Sequence, residues 1–300
     1  DFREIAIAEF YYFTGQAQKC SDLVDIYIMS SRLELKLSAC MLYVYSNLTL
    51  GNAKASERGL EIIRECLRKE MEAPTSERNT AYCVFAGYMG TVLLHLSTEE
   101  LPDMKKYMSS LPQGLRIFAA NVISHDLYLK GEYSRALGIC DAALFSCKEI
   151  YPVGMIYLYC VTAMCEISLK NQAEAEKAIL TAWKLAVKDE LIEPFIELHG
   201  LLESCIRKEN PEMYRKISDA VITFSRGWMA VHNPVSDNPV TDALTTMEFS
   251  IAMLACRDWS NREIAEHMGV SLNTVKHYLT DIFNKLHVKK RDELKNFVLK

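Results

Sequence analysis

The sequence predicts an all-α protein in which an array of helical hairpins is followed by a small helical domain. Half of its 300 residues are hydrophobic, and only 12 Gly and 8 Pro interrupt them. The apolar residues recur mainly at helical spacing, with few of the alternating patterns that strands produce. Turn-forming residues also return at similar intervals along most of the chain, which is typical of a repeated helical unit.

Four helix-breaking turns of similar type divide the first part of the chain. They lie in FTGQA, TLGNA, YLKGEY and SLKNQA, at Gly15, Gly51, Gly131 and Asn171. Their separations are 36, 80 and 40 residues, so a further turn is expected at 96–104, where Pro102 breaks the helical pattern. A period of about 40 residues with one helix pair per unit predicts an α-solenoid over residues 1–226.

Two segments of this array, 118–145 and 158–185, resemble tetratricopeptide units. Leu129-Lys130 and Leu169-Lys170 occupy matching places in the two segments. The small and aromatic positions of that repeat are only partly filled, so an irregular helical array stays open as the alternative. Tyrosines in the array either line a groove for a peptide or a sugar-like ligand or, more commonly, fill the core. They are Tyr11, Tyr12, Tyr43, Tyr45, Tyr151, Tyr157 and Tyr159.

Residues 227–243, GWMAVHNPVSDNPVTDA, are predicted to be a linker. Gly227 and the pairs Asn233-Pro234 and Asn238-Pro239 disfavour continuation of a helix, because a residue before proline is biased toward extended backbone. Trp228 and Met229 are apolar, and we expect that end of the linker to pack on the last helix of the array.

Residues 260–288 carry the pattern of two short helices joined by a tight turn. Ser260 precedes Glu263 by three residues, which is the spacing of a capping box at a helix N-terminus. Gly269 can end that helix in the left-handed conformation, and Ser271 can cap the next helix. The pattern predicts a helix-turn-helix, a motif that binds duplex DNA.

The second helix of this motif has an apolar face and a polar face. Its inward positions recur at spacings of four, three and four residues, and they are Val275, Leu279, Ile282 and Leu286. The opposite face carries Lys276, His277, Thr280 and Asn284. Side chains of these types can reach base edges when the helix lies in the major groove.

The flanks of the motif complete a domain at 244–300. Thr245 and Glu248 repeat the capping-box spacing before an upstream helix, and 289–300 predicts a fourth helix. Nine Lys and Arg against seven Asp and Glu give this domain a slight positive charge, whereas residues 1–243 hold 25 against 32. So weak a positive charge predicts useful DNA affinity only when two copies occupy adjacent half-sites.

These motifs resemble the DNA-binding domain of LuxR-type regulators, also called NarL/FixJ type. The resemblance rests on Leu244-Thr245-x-x-Glu248, 260–265, Ser271-x-x-Thr274-Val275-Lys276 and Lys285-Leu286-x-Val288-x-x-Arg291. It implies base-facing positions at Lys276, His277 and Thr280. It implies positions at or beside phosphate contacts at Asn261, Ser271, Thr274, Lys285, Lys289 and Arg291. Tyr278 departs from the family, which often has His there, and this puts a DNA contact from that position in doubt.

A helical solenoid before such a domain is similar to the MalT-like subgroup of these regulators. In that subgroup a nucleotide-binding switch domain precedes the solenoid, but the chain has no G-x-x-x-x-G-K-[ST] loop and starts without Met. We therefore expect these residues to be the C-terminal part of a longer protein, although a complete regulator without ATP stays open.

Enzymatic and secreted classes are disfavoured. The sequence lacks G-x-S-x-G and H-E-x-x-H motifs, so no catalytic residue, cofactor or metal site is predicted. Its ten cysteines form no C-x-x-C pair, and neither a membrane span nor a leader is apparent, which predicts reduced thiols in a cytoplasmic protein. The resemblance to LuxR-type regulators implies a bacterial one.

The sequence thus predicts a DNA-binding transcriptional regulator whose solenoid senses a small-molecule or protein effector or mediates assembly, with a homodimer or higher oligomer on DNA. The alternative is a protein- or ligand-binding scaffold for which DNA binding is only delivery. Because residues 1–243 are acidic, we also expect their surface to hold the DNA-binding helix when no effector is bound.

Overall fold

The computed structural model describes residues 2–94, 101–147, 151–198, 211–232, 244–256 and 259–294. Within these ranges the chain is helical and contains no strand, which confirms the predicted all-α class. The helices are α1 (Phe2–Phe13), α2 (Ala17–Val24), α3 (Leu33–Thr49), α4 (Ala53–Glu72), α5 (Glu77–Leu94), α6 (Gln113–Leu129), α7 (Tyr133–Ser146), α8 (Pro152–Ser168), α9 (Gln172–Val187), α10 (Glu193–Glu197), α11 (Pro211–His232), α12 (Thr246–Cys256), α13 (Asn261–Met268) and α14 (Leu272–Lys285). Short 3₁₀ helices occupy Asp25–Tyr27, Met104–Ser110 and Arg291–Leu294.

The predicted turns at three glycines join antiparallel helix pairs. Gly15, Gly51 and Gly131 have φ angles of 74°, 74° and 75°, in the left-handed region where a side chain is unfavourable. After each glycine the next backbone N–H donates to a carbonyl in the last turn of the preceding helix, as in Asn52 N to Asn47 O at 2.8 Å. This bond closes a Schellman motif and reverses the chain.

The fourth turn differs from the prediction by one residue. Lys170, with φ of 67°, takes the left-handed conformation, and Asn171 is the N-cap of α9. The N–H of Asn171 donates to Glu166 O at 2.8 Å, so the motif is the same as at the glycines. Lysine is rarely chosen for this conformation, which is why the sequence pointed to the neighbouring asparagine.

The turn expected at 96–104 lies mostly outside the described residues. On either side of it stand α5 and the 3₁₀ helix Met104–Ser110, which pack against each other. A short 3₁₀ helix therefore stands where the repeat pattern leads one to expect a second long helix.

Two glycines let helices approach closely. A Cβ on Gly59 in α4 would lie 2.6 Å from Val44 Cγ2 in α3, and a Cβ on Gly154 in α8 would lie 2.4 Å from Ile117 Cγ2 in α6. Both distances are shorter than carbon atoms tolerate. The glycines thus set the spacing within the α3–α4 pair and between the α6–α7 and α8–α9 pairs.

The array also makes contacts between its distant ends. Ile192 N donates to Phe13 O at 2.9 Å, and α10 packs against α1 and α8. Helix α11 packs against α3, α4 and α10, so late helices return to the first third of the chain. These contacts bring six helices, α1, α3, α5, α6, α8 and α10, around one cavity.

The linker predicted at 227–243 begins inside α11, which continues to His232. A glycine costs only about 1 kcal/mol inside a helix, so Gly227 does not end it. Residues 233–243 lie outside the described ranges. In the part of the chain that the structure describes, nine cysteines have free thiols. No helix there combines the length and hydropathy required to cross a membrane.

Candidate nucleic-acid interface

The first helix of the C-terminal domain, α12, begins with the predicted capping box. Thr245 N donates to Glu248 Oε2 at 2.7 Å, and Glu248 N donates to Thr245 Oγ1 at 3.3 Å. Glu248 also accepts from Lys285 Nζ, at 2.7 and 2.8 Å to its two oxygens. The Glu248 side chain is only 5% exposed, so this ion pair ties the start of α12 to the end of α14.

The helix-turn-helix has the predicted caps. Ser260 N donates to Glu263 Oε2 at 2.6 Å and Glu263 N donates to Ser260 Oγ at 3.2 Å, so the capping box of α13 is complete. Gly269 ends α13 with a φ of 65°, and Ser271 Oγ accepts from Thr274 N at 3.1 Å at the start of α14. The turn between α13 and α14 is therefore fixed by local hydrogen bonds.

Helix α14 has the orientation that the sequence predicts. Val275, Leu279 and Ile282 are buried against α12 and α13. Lys276, His277 and Thr280, the predicted base-facing residues, are exposed on the other side. This outward face is called the α14 polar face below.

Two members of the α14 polar face have local partners. His277 Nδ1 lies 2.9 Å from Asp281 Oδ2, and the His277 side chain is 79% exposed. Thr280 Oγ1 donates to Lys276 O at 3.0 Å. These contacts orient the side chains and leave the Lys276 amine exposed. Tyr278, the departure from the family pattern, is half-buried and packs against the core.

The six predicted phosphate-contacting residues fall into two groups. Ser271 and Thr274 at the N-terminus of α14 and Lys289 after its end are accessible, although Ser271 Oγ and Thr274 Oγ1 lie 2.8 Å apart. Exposed amide groups and hydroxyls at a helix N-terminus suit phosphate oxygens. Within the described part of the domain, these three residues are free of contacts with its core that would prevent a phosphate contact, which stays a prediction.

The other three residues hold the domain together. Arg291 Nη1 donates to Asn261 Oδ1 at 2.7 Å, Arg291 Nε donates to Ala255 O at 3.1 Å, and Arg291 Nη2 donates to Trp259 O. Lys285 is held by Glu248. A phosphate contact by Asn261, Lys285 or Arg291 would have to share or replace these bonds, and it stays a prediction.

The C-terminal domain docks on the helical array through an aromatic cluster. Trp259 and His267 belong to the domain, and Tyr128 and Tyr133 belong to α6 and α7. The ring centroids of Trp259 lie 5.4 Å from Tyr128, 6.2 Å from Tyr133 and 5.3 Å from His267. The Tyr128 hydroxyl lies 3.2 Å from His267 Nε2, and an ion pair of 3.2 Å joins Lys170 Nζ to Glu266 Oε1 nearby. This set of contacts is called the docking cluster below.

Burial in the docking cluster affects the charge of His267. Its side chain is almost fully enclosed, and desolvation lowers its pKa to about 4. The imidazole is therefore neutral near pH 7. A neutral ring can accept the Tyr128 hydroxyl hydrogen without placing a charge among the aromatic rings.

The docking cluster differs from the acidic clamp that the charge distribution suggested. The array contacts α12, α13 and Trp259 rather than the α14 polar face, and the contacts at Trp259 and His267 are aromatic. Net charge describes a whole surface, whereas these contacts depend on the particular side chains that meet. Lys276, His277 and Thr280 consequently remain accessible while the domain is docked.

Two groups of residues in the structure were missed by reasoning from the sequence. His267 lies four residues after Glu263 on α13, and this spacing did not indicate that the histidine contacts a residue outside the C-terminal domain. Glu193 and Glu197 are buried on α10, where IEPFIEL surrounds them with apolar residues. That apolar context was the available signal, because an exposed helix face usually has other polar residues beside its carboxylates.

Residues 242–298 match the family model described as bacterial regulatory proteins, luxR family. A similar relative is the probable transcriptional regulatory protein SgaR of Hyphomicrobium methylovorum, 28% identical over 88 residues. The alignment covers 28% of this chain and 40% of that relative. No solved structure matches the chain. The C-terminal domain is thus a luxR-family helix-turn-helix, which is a DNA-binding domain of transcriptional regulators, and the family model covers no residue before 242.

Proposed function

We propose that this protein is a sequence-specific DNA-binding regulator of transcription that reads its site with the α14 polar face. The observation that carries the proposal is the exposure of Lys276, His277 and Thr280 on a helix whose opposite face is buried in the core and whose N-terminus is capped by Ser271. A helix held in this way can enter the major groove as a rigid unit. Because bacterial DNA lies in the cytoplasm, this is where the regulator would act.

The chemistry of the α14 polar face suits base edges. The Lys276 amine can donate to guanine O6 or N7, and the Thr280 hydroxyl can donate or accept. In this proposal Lys289 and the N-terminus of α14, which are accessible, hold phosphates beside this contact. The positive charge of the domain is small, so one copy should bind DNA weakly. Two copies on adjacent half-sites would bind more tightly, because linkage makes the second contact intramolecular.

We further propose that the helical array controls the domain in the manner of MalT-like regulators, with an effector bound by the array or with assembly through it. The support is the docking cluster, which connects the end of α6 directly to α13. A change in the array that moves Tyr128 would alter the position of α13. The resemblance to MalT-like regulators also implies a nucleotide-binding domain on the N-terminal side of the array.

A second function, an interaction scaffold that DNA binding merely delivers, is favoured by the cavity among six helices of the array. The two functions differ in what the ligand does. In a regulator, ligand binding changes the affinity for DNA, and DNA changes the affinity for ligand by the same factor. In a delivered scaffold the two affinities are independent.

The test is selection of duplexes from a random pool by the 300-residue chain, followed by anisotropy titrations of the selected and a scrambled duplex at several salt concentrations. The proposal predicts enrichment of a defined motif and a selected-to-scrambled affinity ratio of at least about 10³. Affinity for both duplexes should fall steeply with salt, since phosphate contacts release counterions. Failure to enrich any motif, or equal affinities for the two duplexes, would refute sequence-specific binding.

A further inference from the structure

The helical array surrounds a cavity that opens to solvent and has carboxylates in an aromatic wall. Its empty space, which includes solvent at the open mouth, is about 570 Å³. Residues from α1, α3, α5, α6, α8 and α10 line it. The six aromatic residues among them are Tyr12, Phe13, Tyr45, Phe85, Phe118 and Tyr157.

Five of these rings form a continuous wall. The centroids of Tyr45 and Tyr12 lie 6.3 Å apart, those of Tyr12 and Phe13 lie 5.1 Å apart, and those of Phe13 and Tyr157 lie 6.4 Å apart. Phe118 lies 6.0 Å from Tyr157. The faces of aromatic rings carry partial negative charge and attract cations.

Glu197 places a carboxylate in the same wall. The Tyr12 hydroxyl donates to Glu197 Oε1 and the Tyr157 hydroxyl donates to Glu197 Oε2. Each oxygen thus receives a hydrogen bond, which favours the ionised form. The Glu197 side chain is buried, and its burial raises its pKa to about 7 in spite of the two hydrogen bonds.

Two further carboxylates lie near the cavity. Glu193, one helical turn before Glu197 on α10, is fully buried, and neither of its carboxylate oxygens has a hydrogen-bond partner among the described residues. Glu9 is at the mouth and is exposed, although the surrounding protein still raises the pKa of its carboxyl.

A positive partner for these carboxylates is missing from the described part of the chain. The lining contains no Lys, Arg or His, and no ion pair to Glu9, Glu193 or Glu197 is formed among the described residues. Burial raises the pKa of the Glu193 carboxyl well above its usual value, which keeps that group neutral, whereas Glu197 can ionise near pH 7. An ionised Glu197 without a positive partner is complementary to a cation, because buried charge is costly unless it is paired. The aromatic wall is suited to a cation that also carries apolar groups.

We infer that the cavity binds a small organic ammonium ion, with the Glu197 carboxylate as its counter-ion and the rings of Phe13, Tyr157 and Phe118 against its apolar groups. The site is complementary to an amine or quaternary ammonium compound, in contrast to the sugar-like ligand that tyrosines alone suggested. This inference deepens the proposed control by the array and rests on it for its biological meaning. Ligand binding itself can be measured without DNA.

The test is calorimetric titration of the 300-residue chain with two ammonium probes, phenethylammonium and choline. Each is compared with a neutral compound of similar shape, 2-phenylethanol and 3,3-dimethyl-1-butanol. At least one ammonium probe should bind at least about tenfold more tightly than its neutral counterpart, because a charge-assisted contact to Glu197 is lost in the alcohol. Equal affinities within both pairs, or no ammonium binding at about 10 mM, would overturn the inference.

Variants locate the binding. Glu197→Gln should remove the preference for the ammonium probe, and Glu174→Gln on the exposed surface of α9 should leave it unchanged. Retention of the preference in Glu197→Gln would place the cation elsewhere and refute the assignment. Circular dichroism shows whether each variant is folded.

Phe118→Leu gives a second measurement that does not alter the buried carboxylate. It should weaken the ammonium probe more than the alcohol, because both ligands make the apolar contact but only the cation is also attracted by the ring face. The matched control is Phe145→Leu, since Phe145 is 94% exposed on α7. Equal weakening of both ligands by Phe118→Leu would show a purely apolar site and contradict the inference. Neither result depends on DNA binding, so failure here and failure of the proposed function are distinguishable.

Discussion

Replacement of His267 by glutamine tests the docking cluster. His267 is 4% exposed, and desolvation lowers its pKa from 6.5 to about 4. The folded protein therefore resists protonation of a group that the unfolded chain protonates readily. Stability from this residue is fully present above the unfolded pKa of 6.5 and is lost as the pH falls toward 4.

The magnitude follows from the two pKa values. Between pH 7 and pH 5 the unfolded chain takes up a proton at His267 that the folded chain takes up only in small part, which removes about 2 kcal/mol of unfolding free energy. The glutamine side chain of the His267→Gln variant would keep a polar group beside the Tyr128 hydroxyl and would not titrate. Other groups titrate in both proteins, and the comparison of wild type with variant cancels their effect.

The assay is urea unfolding of both proteins at pH 7 and pH 5, followed by circular dichroism. The wild type should lose about 2 kcal/mol more than His267→Gln over this interval. An equal loss in the two proteins would refute the reasoning, since it would mean that His267 is accessible to protons in the folded chain. A titration of the His267 imidazole signal by NMR provides the independent check.

Three further outcomes follow from the structure. Leu279→Ala empties part of the buried core of the domain and should lower its unfolding free energy by about 2–5 kcal/mol, with loss of DNA binding. A variant that is folded but fails to bind would show that α14 is rotated from its assigned orientation. Lys285→Ala breaks the pair with buried Glu248 and should lower the unfolding free energy of the domain by about 2 kcal/mol. Lys289→Ala should preserve stability and reduce the salt dependence of DNA binding by about one phosphate contact. The opposite pattern in melting and salt titrations would contradict both assignments. Gly131→Ala should lower the melting temperature, because a residue with φ of 75° is strained by about 1–2 kcal/mol when it has a Cβ, and an unchanged melting temperature would argue against that backbone conformation.

Local signals in the sequence predicted the C-terminal domain in detail. The capping boxes at Thr245 and Ser260, the end of α13 at Gly269 and the buried face of α14 all depend on residues close together in the chain. Such patterns are strong because hydrogen bonds to the first turn of a helix use only a few neighbouring residues. The predicted fourth helix at 289–300 is seen only as the 3₁₀ helix Arg291–Leu294, and 295–300 lie outside the described residues.

Features that depend on distant residues were not predictable in the same way. The docking cluster joins residues separated by more than a hundred positions, as Tyr128 and His267 are. The cavity likewise depends on the contact of α10 with α1 and α8, which turns Glu197 toward Tyr12 and Tyr157. The hydrophobic periodicity of the sequence predicted that the array is helical. It did not predict which helices from the end of the array pack against helices from its beginning.

The measurement that tests the central proposal most directly is DNA binding by Lys276→Ala. The variant is titrated with the duplex selected by the wild-type chain and with a scrambled duplex, and Lys106→Ala, at an exposed position in the array, serves as the control. If the α14 polar face reads bases, Lys276→Ala loses about 1–3 kcal/mol on the selected duplex and little on the scrambled one, and the control binds both as the wild type does. Equal losses on both duplexes, or no loss on the selected duplex, would contradict the account.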